Sequence, residues 1–310
     1  MKINHILFVS PLNQEMRNLI EDYKLDKEFR YLTEEEISEE DLDWADAFIS
    51  FKTRASYDYS KVKWVHSLGA GVDSFLFRKK WNDDVILTRT ICSFGERISE
   101  YCLSYILKDL QYHDQFFQQK AEKHWKPTTP KMLNDSKVMI YGTGEIGQKI
   151  AQVLSFFDVE VYGVSWSGEQ KEYFKEVFTV DSNSSLMNKM NYLINTLPLT
   201  EKTEHLINKD IFSGLSSVGF INVGRGESVS ELDLIHALDT GQVRFAVLDV
   251  FQEEPLSQHS PLWQHPNVMI TPHISAVTTA KEAVECFVDT LENLEKDKPL
   301  SNKVDVKKGF

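Results

Sequence analysis

The run KVMIYGTGEIGQKIA at residues 137–151 constrains this chain more than any other stretch. Val138, Met139 and Ile140 read as a buried strand, and a helical pattern follows. Between them Gly142, Gly144 and Gly147 make G-x-G-x-x-G. That order provides a tight turn, close backbone approach to a pyrophosphate, and close packing of helix on strand. The helix N-terminus adds backbone donors and the positive end of a dipole. The plainer alternative is a tight strand-to-helix turn with no ligand. The position between strand and helix favours a dinucleotide site made by Gly142, Thr143, Gly144, Glu145, Ile146 and Gly147. More than a hundred residues precede this loop and need an account of their own.

A length of 310 residues suits one large or two ordinary domains, with room for sizeable cores. The composition, 26% charged and 42% hydrophobic, is that of a globular chain. A net charge of −13 leaves no basic footprint for nucleic acid and discourages adhesion to an anionic membrane. Cys92, Cys102 and Cys286 are isolated and odd in number, which is no disulfide framework and fits a reducing, cytoplasmic setting. The N-terminal MKINHILFVSP reads as a first strand rather than a signal peptide. No apolar run reaches membrane-spanning length, and no His/Cys spacing suggests a metal.

Short strands are expected at 5–10, 46–51, 63–68 and 84–89, with a helix from Leu12 to about Tyr23. The acidic run LTEEEISEEDLDWAD reads as a solvated helix or loop without a function. A long helical pattern runs from Phe94 to about Lys123, with Ile98, Tyr101, Cys102, Tyr105, Ile106, Leu110, Phe116 and Phe117 on a wide apolar face. Such a face packs in a core or meets a second subunit, so a homodimer is expected. KPTTP at 126–130 is a linker. Beyond the glycine loop, strands are expected at 159–164, 191–196, 218–223, 244–250 and 267–271, and helices at 146–157, 183–190, 230–239 and 278–294. Alternating strands and helices imply parallel α/β sheets. One doubly wound domain therefore runs from 135 to about 273, behind a smaller α/β unit, and the final helix is free to cross back to that unit.

Three runs bring reactive side chains to strand ends. INVGRGE places Arg225 after a strand, LDVFQEEPL places Asp249 and Glu254 there, and ITPHISA places His273 there. Open α/β sheets bind ligands beyond the carboxyl ends of their strands. An Arg fork grips a carboxylate at two points, and a His gives a proton to a carbonyl oxygen near neutral pH. A carboxylate beside the His fixes its tautomer and favours its charged form. Singly, each residue has a bland reading: a surface arginine, a loop carboxylate, a helix cap. As a set they suit reduction of a ketone next to a carboxylate.

Together with YGTGEIG, the runs INVGRG, LDVFQEEPL and TPHISA resemble the D-isomer-specific 2-hydroxyacid dehydrogenases. The gaps of 29 residues from Arg225 to Glu254 and 19 from Glu254 to His273 are similar to that family's. NTLPLTEKT at 195–203 resembles its loop beside the nicotinamide, and LSNKVDVKKGF its ending. The resemblance implies a two-lobed α/β fold. A Rossmann-type dinucleotide domain (98–275) would be inserted into a smaller flavodoxin-like substrate domain (1–97 plus 276–310), with a cleft between them. It also implies Arg225, Glu254 and His273 as catalytic residues, and backbone amides at Gly69, Ala70 and Gly71 as further substrate contacts. Thr196, Leu197, Pro198, Thr203, Val223, Gly224, Asp249 and Ser275 would complete the cofactor site.

The wording around Gly69–Gly71 resembles most the glyoxylate/hydroxypyruvate reductase branch, so these 2-oxo acids lead as substrates. D-lactate, bulkier D-2-hydroxy acids and a non-catalytic, NAD(H)-sensing corepressor-like protein are the alternatives. A 3-phosphoglycerate role is less favoured, and no added C-terminal regulatory domain is expected, since LSNKVDVKKGF resembles the family's ending. The cofactor turns on VEVYGVSWSGEQK, where Ser165, Trp166 and Ser167 stand in place of the acidic residue that usually accepts the ribose hydroxyls of NAD. Without that charge a 2′-phosphate is not repelled. NADP(H) is the favoured cofactor and NAD(H) a possible one, although no arginine is nearby and only Lys171 is close in sequence.

Overall fold

The computed structural model describes residues 1–310 except 52, 54–56 and 183–185. Its chain contacts divide into two units, 1–94 with 277–310, and 95–276.

In the first unit, β1 (His5–Val9), β2 (Glu28–Leu32), β3 (Ala47–Ser50), β4 (Trp64–Ser67) and β5 (Ile86–Arg89) lie in the order β2-β1-β3-β4-β5, all parallel. This is the flavodoxin-like order. The inner strands are buried on both faces, so they appear in the sequence as unbroken apolar runs. α1 (Asn13–Glu21), α2 (Glu39–Trp44) and α3 (Asp73–Leu76) connect them. α2, in the acidic run, buries Leu42 and exposes Glu39, Glu40 and Asp43, while Asp41 closes a capping box with Ser38.

The second unit opens with α4 (Phe94–Leu110), whose first residue belongs to the first unit, and α5 (His113–Ala121). These are two helices where the periodicity predicts one. The buried series Ile98, Cys102, Ile106, Leu110 meets His113 and Asp114 at its next step. Tyr112 takes a left-handed backbone (φ 55°) and ends α4, as residues just past a helix often do. α5 buries no residue, and Phe117 is 75% exposed.

Seven strands follow among the described residues: β6 (Lys137–Tyr141), β7 (Glu160–Ser165), β8 (Glu176–Thr179), β9 (Tyr192–Asn195), β10 (Val218–Asn222), β11 (Val243–Leu248) and β12 (Val268–Ile270). They form one parallel sheet in the order β12-β11-β10-β9-β6-β7-β8. Order reverses between β6 and β9, which makes the crevice above those two strands the topological switch point of a Rossmann-type sheet. α6 (Glu145–Ser155), α7 (Lys209–Ser213) and α8 (Glu231–Asp239) are the connecting helices. The helix expected at 183–190 lies partly outside the described residues, and its remainder is a single 3-10 turn at Met187–Lys189.

The final helix, α9 (Ala280–Glu295), belongs to the first unit. Phe287 stacks on Trp64 with centroids 5.5 Å apart and meets Phe8 edge-on at 5.0 Å. Beside Trp64, His66 is fully buried in a closed relay. Trp64 Nε1 donates to Thr88 Oγ1 (2.8 Å), which faces His66 Nδ1 at 2.7 Å, while His66 Nε2 faces Thr90 Oγ1 at 3.3 Å. Thr90 in turn donates to the Ser67 carbonyl (3.1 Å). Following the protons from Trp64 assigns a neutral His66 carrying its hydrogen on Nε2. Burial pushes its pKa down to about 3.

Candidate active site

The three glycines of the first loop are required for different reasons. Gly142 has φ 100°, a backbone that side chains rarely allow. A Cβ on Gly147 would collide with the Gly142 carbonyl, so this glycine lets α6 pack on the turn. Gly144 is exposed, and a Cβ there would meet nothing within 4 Å. The protein itself does not demand a glycine at 144. The open space above it, at the first turn of α6 where helix amides lack partners, suits the close approach of a pyrophosphate. The residues present thus fit a dinucleotide. Thr143 is buried against Gly163 of β7, while Glu145 is exposed and Ile146 half-buried beside the open space.

On one side of this loop β7 ends at Ser165. The Ser165 Oγ accepts from the Gly168 amide (3.2 Å) and the Ser167 Oγ from the Glu169 amide (3.2 Å), which leaves each hydroxyl proton to donate elsewhere. Trp166 is half-exposed, and the Lys202 ammonium lies 6.0 Å from its ring centre. Lys171 is paired with Glu169 at 3.0 Å. On the other side, after β9, Thr196 donates to the carbonyls of Tyr141 (2.9 Å) and Gly142 (3.1 Å). Thr203 closes the same segment on the Pro198 carbonyl (2.7 Å). Leu197 is buried and Pro198 half-buried. Thr196 and Thr203 therefore shape the loop with their hydroxyls.

After β12, His273 Nδ1 faces Glu254 Oε2 at 2.9 Å. The other Glu254 oxygen accepts from the Phe251 amide (3.2 Å), so the carboxylate is held at both ends. His273 has φ 54°, which is uncommon for a side-chain-bearing residue and persists only where the surroundings impose it. Asp249, fully buried at the end of β11, imposes it. Its carbonyl accepts the His273 amide (2.8 Å), and its carboxylate receives Thr271 Oγ1 (2.6 Å), Ile274 N (2.8 Å) and Ser275 N (2.9 Å). With the Thr271 proton given to Asp249, Tyr101 of α4 donates to Thr271 at 2.7 Å. Among the described residues, the hydrogen bonds of the Asp249 carboxylate thus all go to the turn that presents His273.

Arg225 follows β10 and stands between two glycines with no room to spare. A Cβ on Gly224 would meet the backbone of Leu197 at 2.7 Å, and one on Gly226 would collide with the Phe251 backbone. Val223 and Gly224 are buried. The half-buried Arg225 donates from Nη1 to the Gly224 carbonyl (2.8 Å). Along the carboxyl edge of the sheet, neighbouring strands therefore present His273 (β12), Glu254 and Asp249 (β11), Arg225 (β10), the 196–198 loop (β9), the glycine loop (β6) and Ser165–Ser167 (β7). Five strand spacings, ~24 Å at about 4.8 Å each, separate the first from the last.

In the first unit, the 69–71 loop follows β4. Ser67 Oγ donates to the carbonyls of Gly69 (3.1 Å) and Gly71 (2.8 Å), and Arg89 to that of Ala70 (3.3 Å). The Gly69 amide is engaged by Ser67 Oγ at 3.3 Å. The amides of Ala70 and Gly71 have no hydrogen-bond partner among the described residues. Two of the three expected anion-binding amides are therefore available, because the loop uses the third to brace itself.

The sequence reading missed a buried polar cluster of Asn195, Asn222 and Ser228 that joins the Leu197 and Arg225 loops. Its signal was an asparagine closing each of two adjacent apolar strands. No group of three or more His, Cys, Asp or Glu among the described residues could hold a metal, and no helix among them is long and apolar enough to cross a membrane.

Residues 103–275 match the family model described as the D-isomer specific 2-hydroxyacid dehydrogenase, NAD binding domain. A D-isomer specific 2-hydroxyacid dehydrogenase family protein from Aeromonas salmonicida is 30% identical, with 98% of this chain and 100% of that one covered and a TM-score of 0.84. A D-isomer specific 2-hydroxyacid dehydrogenase from Xanthobacter autotrophicus, solved with NADPH and MES, is 25% identical over 100% of both chains, with a TM-score of 0.88. An NADPH-dependent glyoxylate/hydroxypyruvate reductase from Sinorhizobium meliloti, solved with NADP and sulfate, is 27% identical over 99% of this chain and 100% of that one, with a TM-score of 0.86. The chain belongs to the D-isomer-specific 2-hydroxyacid dehydrogenase family, and it is an NAD(P)-dependent oxidoreductase.

Proposed function

We propose that this chain reduces a small 2-oxo acid, glyoxylate or hydroxypyruvate foremost, to the D-2-hydroxy acid, with NADP(H) as the preferred cofactor. The observation that carries the reading is the His273–Glu254 pair at 2.9 Å, oriented by Asp249 at the same sheet edge as Arg225. In this reading the Arg225 fork binds the substrate carboxylate and polarises the adjoining ketone. The amides of Ala70 and Gly71, unpaired among the described residues, are donors of the kind a carboxylate takes, and the first unit serves as the substrate domain. His273 gives its proton to the carbonyl oxygen, and Glu254 holds the imidazole in the donating orientation.

The reduced nicotinamide, when bound, supplies the hydride. Gly144 and the first turn of α6 would hold its pyrophosphate, Thr196, Leu197, Pro198, Val223, Gly224 and Ser275 its nicotinamide end, and Ser165–Ser167 its adenosine end. Two similar structures hold NADPH or NADP. The missing acidic residue at the end of β7 supports the same choice, and the Ser165 and Ser167 hydroxyls have protons to offer a 2′-phosphate. The substrate preference rests on the similar glyoxylate/hydroxypyruvate reductase and on the 69–71 loop.

Exposed Phe117 and the fully exposed Trp125 nearby support a homodimer through this face, in a reducing, cytoplasmic setting. Light scattering at micromolar concentration tests the assembly, a monomer counting against it. Steady-state oxidation of NADPH with glyoxylate or hydroxypyruvate, and chiral analysis of glycerate from the latter, test the activity. Sustained turnover to the D-product is expected, and the L-product or no turnover would refute the reading.

A further inference from the structure

The end of β9 and the end of β10 are already joined by the sheet, with Asn195 and Asn222 paired across the ladder. Their side chains are not needed to hold those strands together, and both are buried, at 0% and 2% exposure. Each nevertheless carries a polar amide into the interior, where unpaired groups are costly. The bonds these amides make go to loops and to each other.

Asn195 Oδ1 accepts the Leu197 amide (3.1 Å). Its Nδ2 donates to Asn222 Oδ1 (2.9 Å) and to Ser228 Oγ (2.7 Å). Asn222 Oδ1 also accepts the Gly224 amide (3.2 Å). Ser228 Oγ passes its own proton to the Arg225 carbonyl (2.6 Å), which Asn222 Nδ2 also faces at 3.4 Å. Both protons of the Asn195 amide are used, and a continuous chain runs from the Leu197 amide to the Arg225 carbonyl. The loops touch directly as well, since Gly224 leaves no space for a Cβ against the Leu197 backbone. Buried networks of this kind rigidify when fully satisfied.

We propose that Asn195 is a positioning residue for Arg225. It fastens the 196–198 loop and the 223–228 loop into one rigid body, so that the guanidinium is aimed from the same frame that carries the nicotinamide end of the site. Loss of the Asn195 amide frees the Arg225 backbone to shift by a fraction of an ångström, which costs substrate alignment rather than folding. The inference rests on the reading that Arg225 grips the 2-oxo acid.

A double-mutant cycle on the full chain tests it, with Asn195→Ala and Arg225→Lys measured singly and together for kcat/KM on glyoxylate with NADPH. Melting temperature is followed in parallel. Residues that act through one another are non-additive. Asn195→Ala is expected to lower kcat/KM by about ten-fold in the parent, and by less than about two-fold once Arg225 is already Lys. Ser228→Ala, which removes one hydroxyl, is expected to show the same dependence and decides the matter should Asn195→Ala not fold. An equal fold-loss in both backgrounds, or no loss in a folded variant, would overturn the positioning role. If Arg225→Lys alone leaves kcat/KM unchanged, the reading of Arg225 itself fails, and the inference with it.

Discussion

His273 Nδ1 and Glu254 Oε2 lie 2.9 Å apart although 19 residues separate them, and the backbone of His273 is held by Asp249. If His273 delivers the proton and Glu254 holds the ring in place, Glu254→Gln weakens that hold and is expected to lower kcat for keto-acid reduction by about ten-fold or more, with NADPH affinity unchanged. A variant that keeps the parent's kcat would break the pairing.

The glycine loop separates protein packing from ligand contact. Gly144 has φ −73°, an angle any residue adopts, and open space above it. Gly144→Ala is expected to cost at most about 1 kcal/mol of stability as a poorer helix cap. It should raise the NADPH dissociation constant about ten-fold or more, equal to about 1.4 kcal/mol. Gly147→Ala forces overpacking against the Gly142 carbonyl and is expected to cost about 1–3 kcal/mol of stability. Thermal melts and fluorescence titrations read the two effects apart; a Gly144→Ala chain that binds NADPH as the parent does would contradict the pyrophosphate assignment.

Cofactor choice is expected to reside at the end of β7. Ser165→Asp introduces a carboxylate that repels a 2′-phosphate and accepts ribose hydroxyls. The ratio of kcat/KM for NADPH over NADH should exceed one in the parent and fall in the variant by about ten-fold or more, given like-charge repulsion in a partly desolvated site. A parent that prefers NADH, or a variant whose ratio does not move, would show that this loop does not select the cofactor.

The strands that build the site were legible because inner parallel strands are unbroken apolar runs, as at Val138–Ile140 and 192–194. β2 and β8 were not, because they lie at sheet edges where Glu28, Arg30 and Glu176 face water and break the pattern. Arg225, Glu254 and His273 were legible as reactive groups directly after strands. The structural work of Asp249 and the Asn195–Asn222–Ser228 cluster was not. A sequence shows that a polar residue ends a strand, but not which side-chain and backbone groups, 22 to 33 residues away, close on it.

His66 gives the first unit an acid-sensitive core. Its folded pKa, about 3, lies below the value of about 6.5 expected in the unfolded chain. Between those values the unfolded chain binds the extra proton, so this contribution is full above pH 6.5 and is lost as pH falls. The slope is at most about 1.4 kcal/mol per pH unit. His66→Asn is expected to be less stable than the parent at pH 7, with a gap that narrows as pH drops from 6.5 toward 4. A gap that stays constant in urea unfolding across that range would contradict a neutral buried His66.

The central claim is tested most directly by one steady-state panel: glyoxylate, hydroxypyruvate, pyruvate and a bulkier 2-oxo acid, each with NADPH and with NADH. The parent is expected to turn over glyoxylate or hydroxypyruvate fastest, with NADPH, and His273→Asn is expected to lose about three orders of magnitude in kcat, within the range of general acid catalysis. No turnover of any 2-oxo acid by a parent chain that binds the cofactor would contradict the account and leave a dinucleotide-binding protein in its place.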